Sequence, residues 1–253
     1  MPWGLFQPKC PIDAESRAWV DARMKWLATQ FGIETWRTAK AIEPTAEFFP
    51  DAFDSTEPSV RRMLDRICTY MHIDPSRVEL QLYSEGRDIK LPVSVIIASE
   101  EKGSAGQYRP PDDASSGKEI VSIEVSNLKD PQKLAATIAH ELAHVRLIGE
   151  GRITNKEEDH EPLTDLATVF FGLGIFNANS SFHFNQWHES GWSGWKASTL
   201  GYLNEPMFGY ALGLWTTVRN EENPAWMKHL RLNLRTFMKQ TIRYLKQNRP
   251  QGF

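Results

Sequence analysis

The sequence predicts an α+β fold, with helices first, a small and mostly antiparallel sheet next, and helices again to the end. Three observations predict it. Apolar residues recur at helical spacing over about 13–31 and 58–72. The period drops to two between about 78 and 125, and from Asp130 onward the helical period returns and stays. No internal repeat, low-complexity tract or linker interrupts the 253 residues. The simplest organisation is therefore one domain over 1–253, with N-terminal helices and sheet in about 1–128 and the remaining helices in about 129–253.

The first helix follows from Asp13 as a candidate N-cap, from Trp19, Val20, Met24, Trp26 and Leu27 at helical spacing, and from Gly32 as a stop. EPTAEFFPDAFDSTEP reads as a loop leading into a second helix, capped by Ser55 or Thr56, with Val60, Met63, Leu64, Ile67 and Met71 as its buried stripe. Val78, Leu80 and Leu82 then alternate with polar residues, Val93 to Ala98 form a short β-rich run, and Ile120 to Val125 alternate again. These are three expected strands, joined by the turn-rich segments EEKGSAGQ and RPPDDASSG. Asp130 and Pro131 suit the cap and first position of a third helix, which carries HELAH. A fourth helix is expected over about 159–176, a Trp- and Asn-rich loop after it, and a final pair over about 203–219 and 224–247.

Composition excludes several function classes. Hydrophobic residues make up 41% and charged residues 24%, as in ordinary globular chains. A net charge of −3 gives no electrostatic case for nucleic acid or an anionic membrane as partner. The nine tryptophans fall toward the two ends and argue for a well-packed body. The N-terminus MPWGLFQPKCPIDAE lacks the pattern of a secretory signal. The apolar stretch over 166–178 contains two glycines and is too short to span a bilayer. With only Cys10 and Cys68 available, a reduced compartment is expected, and the cytoplasm is the anticipated location.

The segment HELAHVRLIGEGRITNKEEDHEPLTD, residues 140–165, carries the chemistry. On a helix His140 and His144 project from one face and can grip one ion. Zinc suits two imidazoles, and in catalytic sites it takes three protein ligands and leaves one position open. Glu141 is turned by about 100° from His140, where its carboxylate meets a water in the open position rather than the ion. Glu161 is the expected third ligand. Asp165, one helical turn on, could then reach the outward ring nitrogen of a ligating histidine and fix its orientation.

HELAH followed by EPLTD resembles the HExxH…ExxxD pattern of the gluzincin metallopeptidases, the thermolysin-like branch of the zincins. That resemblance implies His140, His144 and Glu161 as zinc ligands, Glu141 as general base and Asp165 as the residue orienting a ligand. It implies a zincin-like architecture, in which a sheet whose edge strand lines the cleft precedes two metal-bearing helices. It also implies a peptide or protein substrate. The motif covers about a tenth of the chain, and gluzincins also use a later His or Tyr to stabilise the oxyanion. His183, His188, Tyr202 and Tyr210 are available for that role, with Tyr202 the first choice, while Trp187, Trp192 and Trp195 could line a pocket.

Plainer readings stand beside each of these. Two histidines on a helix can be core or polar residues. Glu150, Glu157, Glu158, Asp159 and His160 crowd the same stretch, and acidic residues before a helix commonly form a solvated N-terminal face. Glu150 lies where metzincins place a third ligand, but that class needs Gly at Leu147 and His at Glu150. His160 could ligate instead of Glu161, which would leave Asp165 without a role. Any aromatic of the downstream loop can simply cover a core edge. The alternative function is a non-catalytic protein that keeps the fold, with structural zinc or none, as a binding or regulatory module. The sequence carries no signal for oligomeric state.

Overall fold

The structure, a computed structural model, describes residues 8–84, 106–110, 117–188 and 203–248, with 182–188 as backbone only. Its internal contacts divide the chain into two units, Met1–Glu43 with Glu161–Phe253, and Pro44–His160. The cut falls inside one helix, between its first and second residues.

In the first unit, α1 spans Ala14–Phe31, capped by Asp13, whose carboxylate accepts the Ser16 amide at 2.8 Å. Gly32, at φ 90°, ends it and starts the short helix α2, Ile33–Thr38. The chain resumes in this unit with α5, His160–Phe170, and α6, Gly174–His188. The helix expected over about 159–176 is therefore two helices. A Schellman turn divides them: the Leu173 amide donates to Thr168 O and the Gly172 amide to Val169 O, with Gly172 at φ 86°. Part of the segment read as a loop after residue 176 is likewise helical. Helix α7 spans Glu205–Val218 behind an Asn204 cap, and α8 spans Leu232–Gln247 after a 3-10 turn at Ala225–His229. The core is aromatic. Phe31 meets Phe170 and Phe171 at ring separations of 5.8 and 5.0 Å, and Trp36 meets Phe170 at 5.8 Å. The fully buried indoles of Trp36 and Trp215 find carbonyl partners, Trp36 Nε1 donating to Trp215 O and Trp215 Nε1 to Phe170 O. The apolar run after Asp165 is buried almost throughout.

In the second unit, α3 spans Glu57–Tyr70 and buries Val60, Met63, Leu64 and Ile67, as its periodicity predicts. Thr56 occupies the cap position, but the capping hydroxyls turn elsewhere: Ser55 Oγ donates to Leu128 O and Thr56 Oγ1 to Asp54. The sheet consists of β1, Val78–Tyr83, β2, Gly106–Arg109, and β3, Glu119–Glu124, in the order β1-β3-β2. It is mixed rather than mostly antiparallel. β1 pairs parallel with β3, Val78 opposite Glu119, while β2 pairs antiparallel with β3, Gly106 opposite Ile123. Alternation reports which face of a strand is buried and is blind to strand direction. The long segment between β1 and β3 permits the crossover that parallel pairing needs. β2 falls partly within EEKGSAGQ, read from sequence as a turn, and the strand expected over 93–98 lies outside the described residues.

Helix α4, Pro131–His144, closes this unit against α3, β2 and β3. Asp130 caps it as expected, accepting the amides of Gln132 and Lys133 at 3.0 and 3.1 Å. Every residue from Leu134 to His144 is buried. A helix enclosed all round leaves its polar members nowhere to meet bulk water, so His140, Glu141 and His144 must be answered inside the protein.

Candidate metal centre

His140, Glu141 and His144 occupy the last turn of α4 with 5, 6 and 7% of their surface exposed. Immediately after His144 the chain widens into a π-helical turn, Val145–Gly149, in which the Glu150 amide donates to Val145 O at 3.0 Å. Such turns occur frequently at functional sites, because the extra residue re-aims the side chains around it. Glu150 accepts from Arg146 and from Arg152 Nη2, the latter at 2.8 Å. Its carboxylate is thus committed to two guanidinium groups.

The His140 and His144 rings lie 4.9 Å apart with an interplanar angle of 84°, edge to face. One ligand atom from each, together with a carboxylate oxygen of Glu161, forms a set whose members all lie within 4.8 Å of one another. Among the described residues this is the set of three or more His, Cys, Asp or Glu side chains gathered closely enough to hold an ion. The donor set fits zinc. Tetrahedral ligands at bond lengths of about 2.0–2.1 Å stand roughly 3.4 Å from one another, so small side-chain rotations close the set.

Glu161 is the second residue of α5. His160, just before it, folds back on the preceding turn: its amide and its Nδ1 both meet the Glu157 carbonyl, at 3.2 and 2.8 Å. A carbonyl only accepts, so Nδ1 carries the proton. The His160 ring stands 6.3 Å from that of His144, and His160 is not a member of the cluster.

Strand β2 meets α4 on the face that carries this chemistry. Alternate residues of a strand share a face, and Gly106 and Tyr108 are such a pair. A side chain at Gly106 would begin 2.6 Å from Thr137 Cγ2 and 2.8 Å from Glu141 Oε1, so the strand comes this close only because residue 106 is glycine. The Tyr108 ring lies nearly parallel to that of His144, 18° off and 6.1 Å away. Its hydroxyl donates to Glu119 Oε2 at 2.8 Å. Burial pushes the Glu119 carboxyl above its ordinary range, partly offset by that hydroxyl and by the Arg77 guanidinium at 3.7 Å.

Of the other residues singled out from sequence, Asp165 is buried and its Oδ2 accepts the Leu203 amide at 2.9 Å. Tyr210 is fully buried and donates to Asp21 at 2.9 Å, a structural bond within the first unit. Tyr202, Trp192 and Trp195 lie outside the described residues. His183, Trp187 and His188 fall on the backbone-only end of α6. Sequence reasoning missed Gly106, Tyr108, Glu119 and Gly149. No spacing rule ties a short strand thirty residues upstream to the HELAH helix. Comparison with family models, curated proteins and solved structures gives no match. Among the described residues, no helix is long and apolar enough to cross a membrane.

Proposed function

We propose that this protein is a zinc-dependent hydrolase, most specifically a metallopeptidase acting on a peptide or protein substrate. The observation that carries the reading is the gathering of His140, His144 and Glu161 ligand atoms within 4.8 Å, directly beside Glu141. His140, His144 and Glu161 hold the ion. When bound, zinc supplies Lewis acidity toward the scissile carbonyl and toward water. Glu141 takes the proton of the attacking water and passes it to the leaving nitrogen, and its buried setting strengthens that exchange. Asp165 orients a ligating imidazole through its outward nitrogen. A role for Tyr202 at the oxyanion and residence in the cytoplasm complete the proposal, while the fold itself is α+β with a small mixed sheet and does not match a zincin fold. Support for a reduced compartment comes from both cysteines being free thiols.

The test is metal content by elemental analysis of the wild type and of the Glu161→Ala and Glu141→Gln variants, followed by cleavage of a peptide library. The expected result is one zinc per chain in wild type and Glu141→Gln, none in Glu161→Ala, and peptide cleavage by the wild type alone. A wild type that takes up no zinc on reconstitution sinks the reading. A zinc-loaded wild type that cleaves nothing leaves the non-catalytic binding module in its place.

A further inference from the structure

We infer that Tyr108, held by Glu119, is the positioning residue that fixes the His144 imidazole in its ligating orientation, an inference that rests on the metal-centre reading above. A histidine side chain turns about two bonds, and it ligates well only if something fixes its plane. The Tyr108 ring stacks against that plane, nearly parallel to the imidazole with ring centroids 6.1 Å apart, inside the range in which aromatic rings attract. The tyrosine is itself held from behind. Its hydroxyl donates to Glu119 Oε2, and Glu119 is anchored in β3 with 3% of its side chain exposed and the Arg77 guanidinium beside it.

A second contact closes on the same pair from the helix side. The π-helical turn after His144 brings Gly149 against it. A side chain at Gly149 would begin 2.7 Å from Glu119 Oε1 and 2.8 Å from the Tyr108 hydroxyl oxygen. The backbone five residues past His144 and the ring of His144 thus both rest on the Tyr108–Glu119 pair. All four residues belong to one unit.

The experiment measures zinc affinity by competition with a fluorescent chelator for the wild type, Tyr108→Leu, Tyr108→Phe and Glu119→Gln. The visible absorption of the cobalt-substituted proteins reports the geometry of the ligands. Tyr108→Leu removes the stack and is expected to weaken zinc binding about 10- to 100-fold, the range for partners that orient a ligand. It should also alter the cobalt spectrum. Tyr108→Phe keeps the ring and the fold but frees it from Glu119, so it and Glu119→Gln should show a smaller loss of the same sign. A role confined to folding would lower the thermal midpoint of the metal-free protein without moving the cobalt spectrum.

A metal-free arm reads the stack itself. The His144 ring protons, assigned by their loss in His144→Gln, should be shifted upfield in the wild type by the Tyr108 ring and should return in Tyr108→Leu. If wild type and Tyr108→Leu bind zinc equally tightly with the same cobalt spectrum, the inference is overturned while the metal centre stands. If the wild type binds no zinc, the metal centre fails and the inference falls with it.

Discussion

Gly172 is where a single methyl group should cost the most for its size. It forms the left-handed turn between α5 and α6 at φ 86°, a region that costs a residue with a side chain roughly 1–2 kcal/mol. A Cβ there would also meet the Lys40 carbonyl oxygen at 2.0 Å. That carbonyl is backbone and cannot rotate aside. The chain beside it is pinned as well, because the Ile42 amide donates to Gly172 O at 2.9 Å. Relieving the overlap means moving two segments apart, and overpacking of this kind adds about 1–3 kcal/mol. Gly172→Ala is therefore expected to destabilise by roughly 2–5 kcal/mol. At about 2–4 °C per kcal/mol for a chain of this size, the thermal midpoint should fall by roughly 4–20 °C. The assay is thermal unfolding followed by far-ultraviolet circular dichroism, with urea unfolding as a check. Gly172→Asn separates the two causes, since asparagine tolerates the left-handed turn but keeps the Cβ, and it should recover only part of the loss. An unchanged midpoint in Gly172→Ala would refute both the turn geometry and the close approach to Lys40.

Two further outcomes are expected. Gly106→Ala places a methyl group against Thr137 and Glu141, so it should cost about 1–3 kcal/mol of stability. On the proposed function it should also cut peptide cleavage while zinc content stays at the wild-type level; loss of zinc instead would mean that the methyl group disturbs the ligands and not Glu141 alone. Asp54 titrates at about 2, below its ordinary 3.8, because the Thr56 hydroxyl and amide donate to its carboxylate and the polar Ser59 side chain adds to their effect. A carboxyl lowered on folding stabilises above its unfolded value and loses that contribution as pH falls through the folded one. Asp54→Asn should therefore lower the thermal midpoint at pH 6, with the gap closing between about pH 4 and pH 2. A gap that stays constant with pH would show that the carboxylate charge plays no part.

Much of the local structure was legible in the residues. Asp13 and Asp130 cap the helices their positions announce, because capping is a contact between residues two or three apart. The buried stripe of α3 is periodic, and periodicity survives without knowledge of partners, whereas β3, the central strand, is buried at five successive positions rather than at alternate ones. The HELAH spacing likewise places two imidazoles on one helical face by helix geometry alone.

What local pattern could not supply belongs to other parts of the chain. Gly172 falls inside the stretch the periodicity reads as one helix over about 159–176, and only the Lys40–Ile42 segment packed against it explains why the helix ends there. Strand β2 was hidden in a turn-rich stretch. Four residues hold no periodicity of their own, and β3 supplies the ladder that makes them a strand. The direction of β1 was equally unreadable, since side-chain alternation is the same in parallel and antiparallel pairs.

The sequence by itself determined that His140 and His144 share one helical face with Glu141 beside them, because helix geometry fixes residues one and four apart. Only the tertiary structure decided what stands against them: Gly106 beside Glu141, and Tyr108 and Glu119 behind His144. The physical reason is sequence separation. Contacts within a helical turn are set by bond geometry, whereas contacts across thirty residues exist only once burial has brought the strand onto the helix.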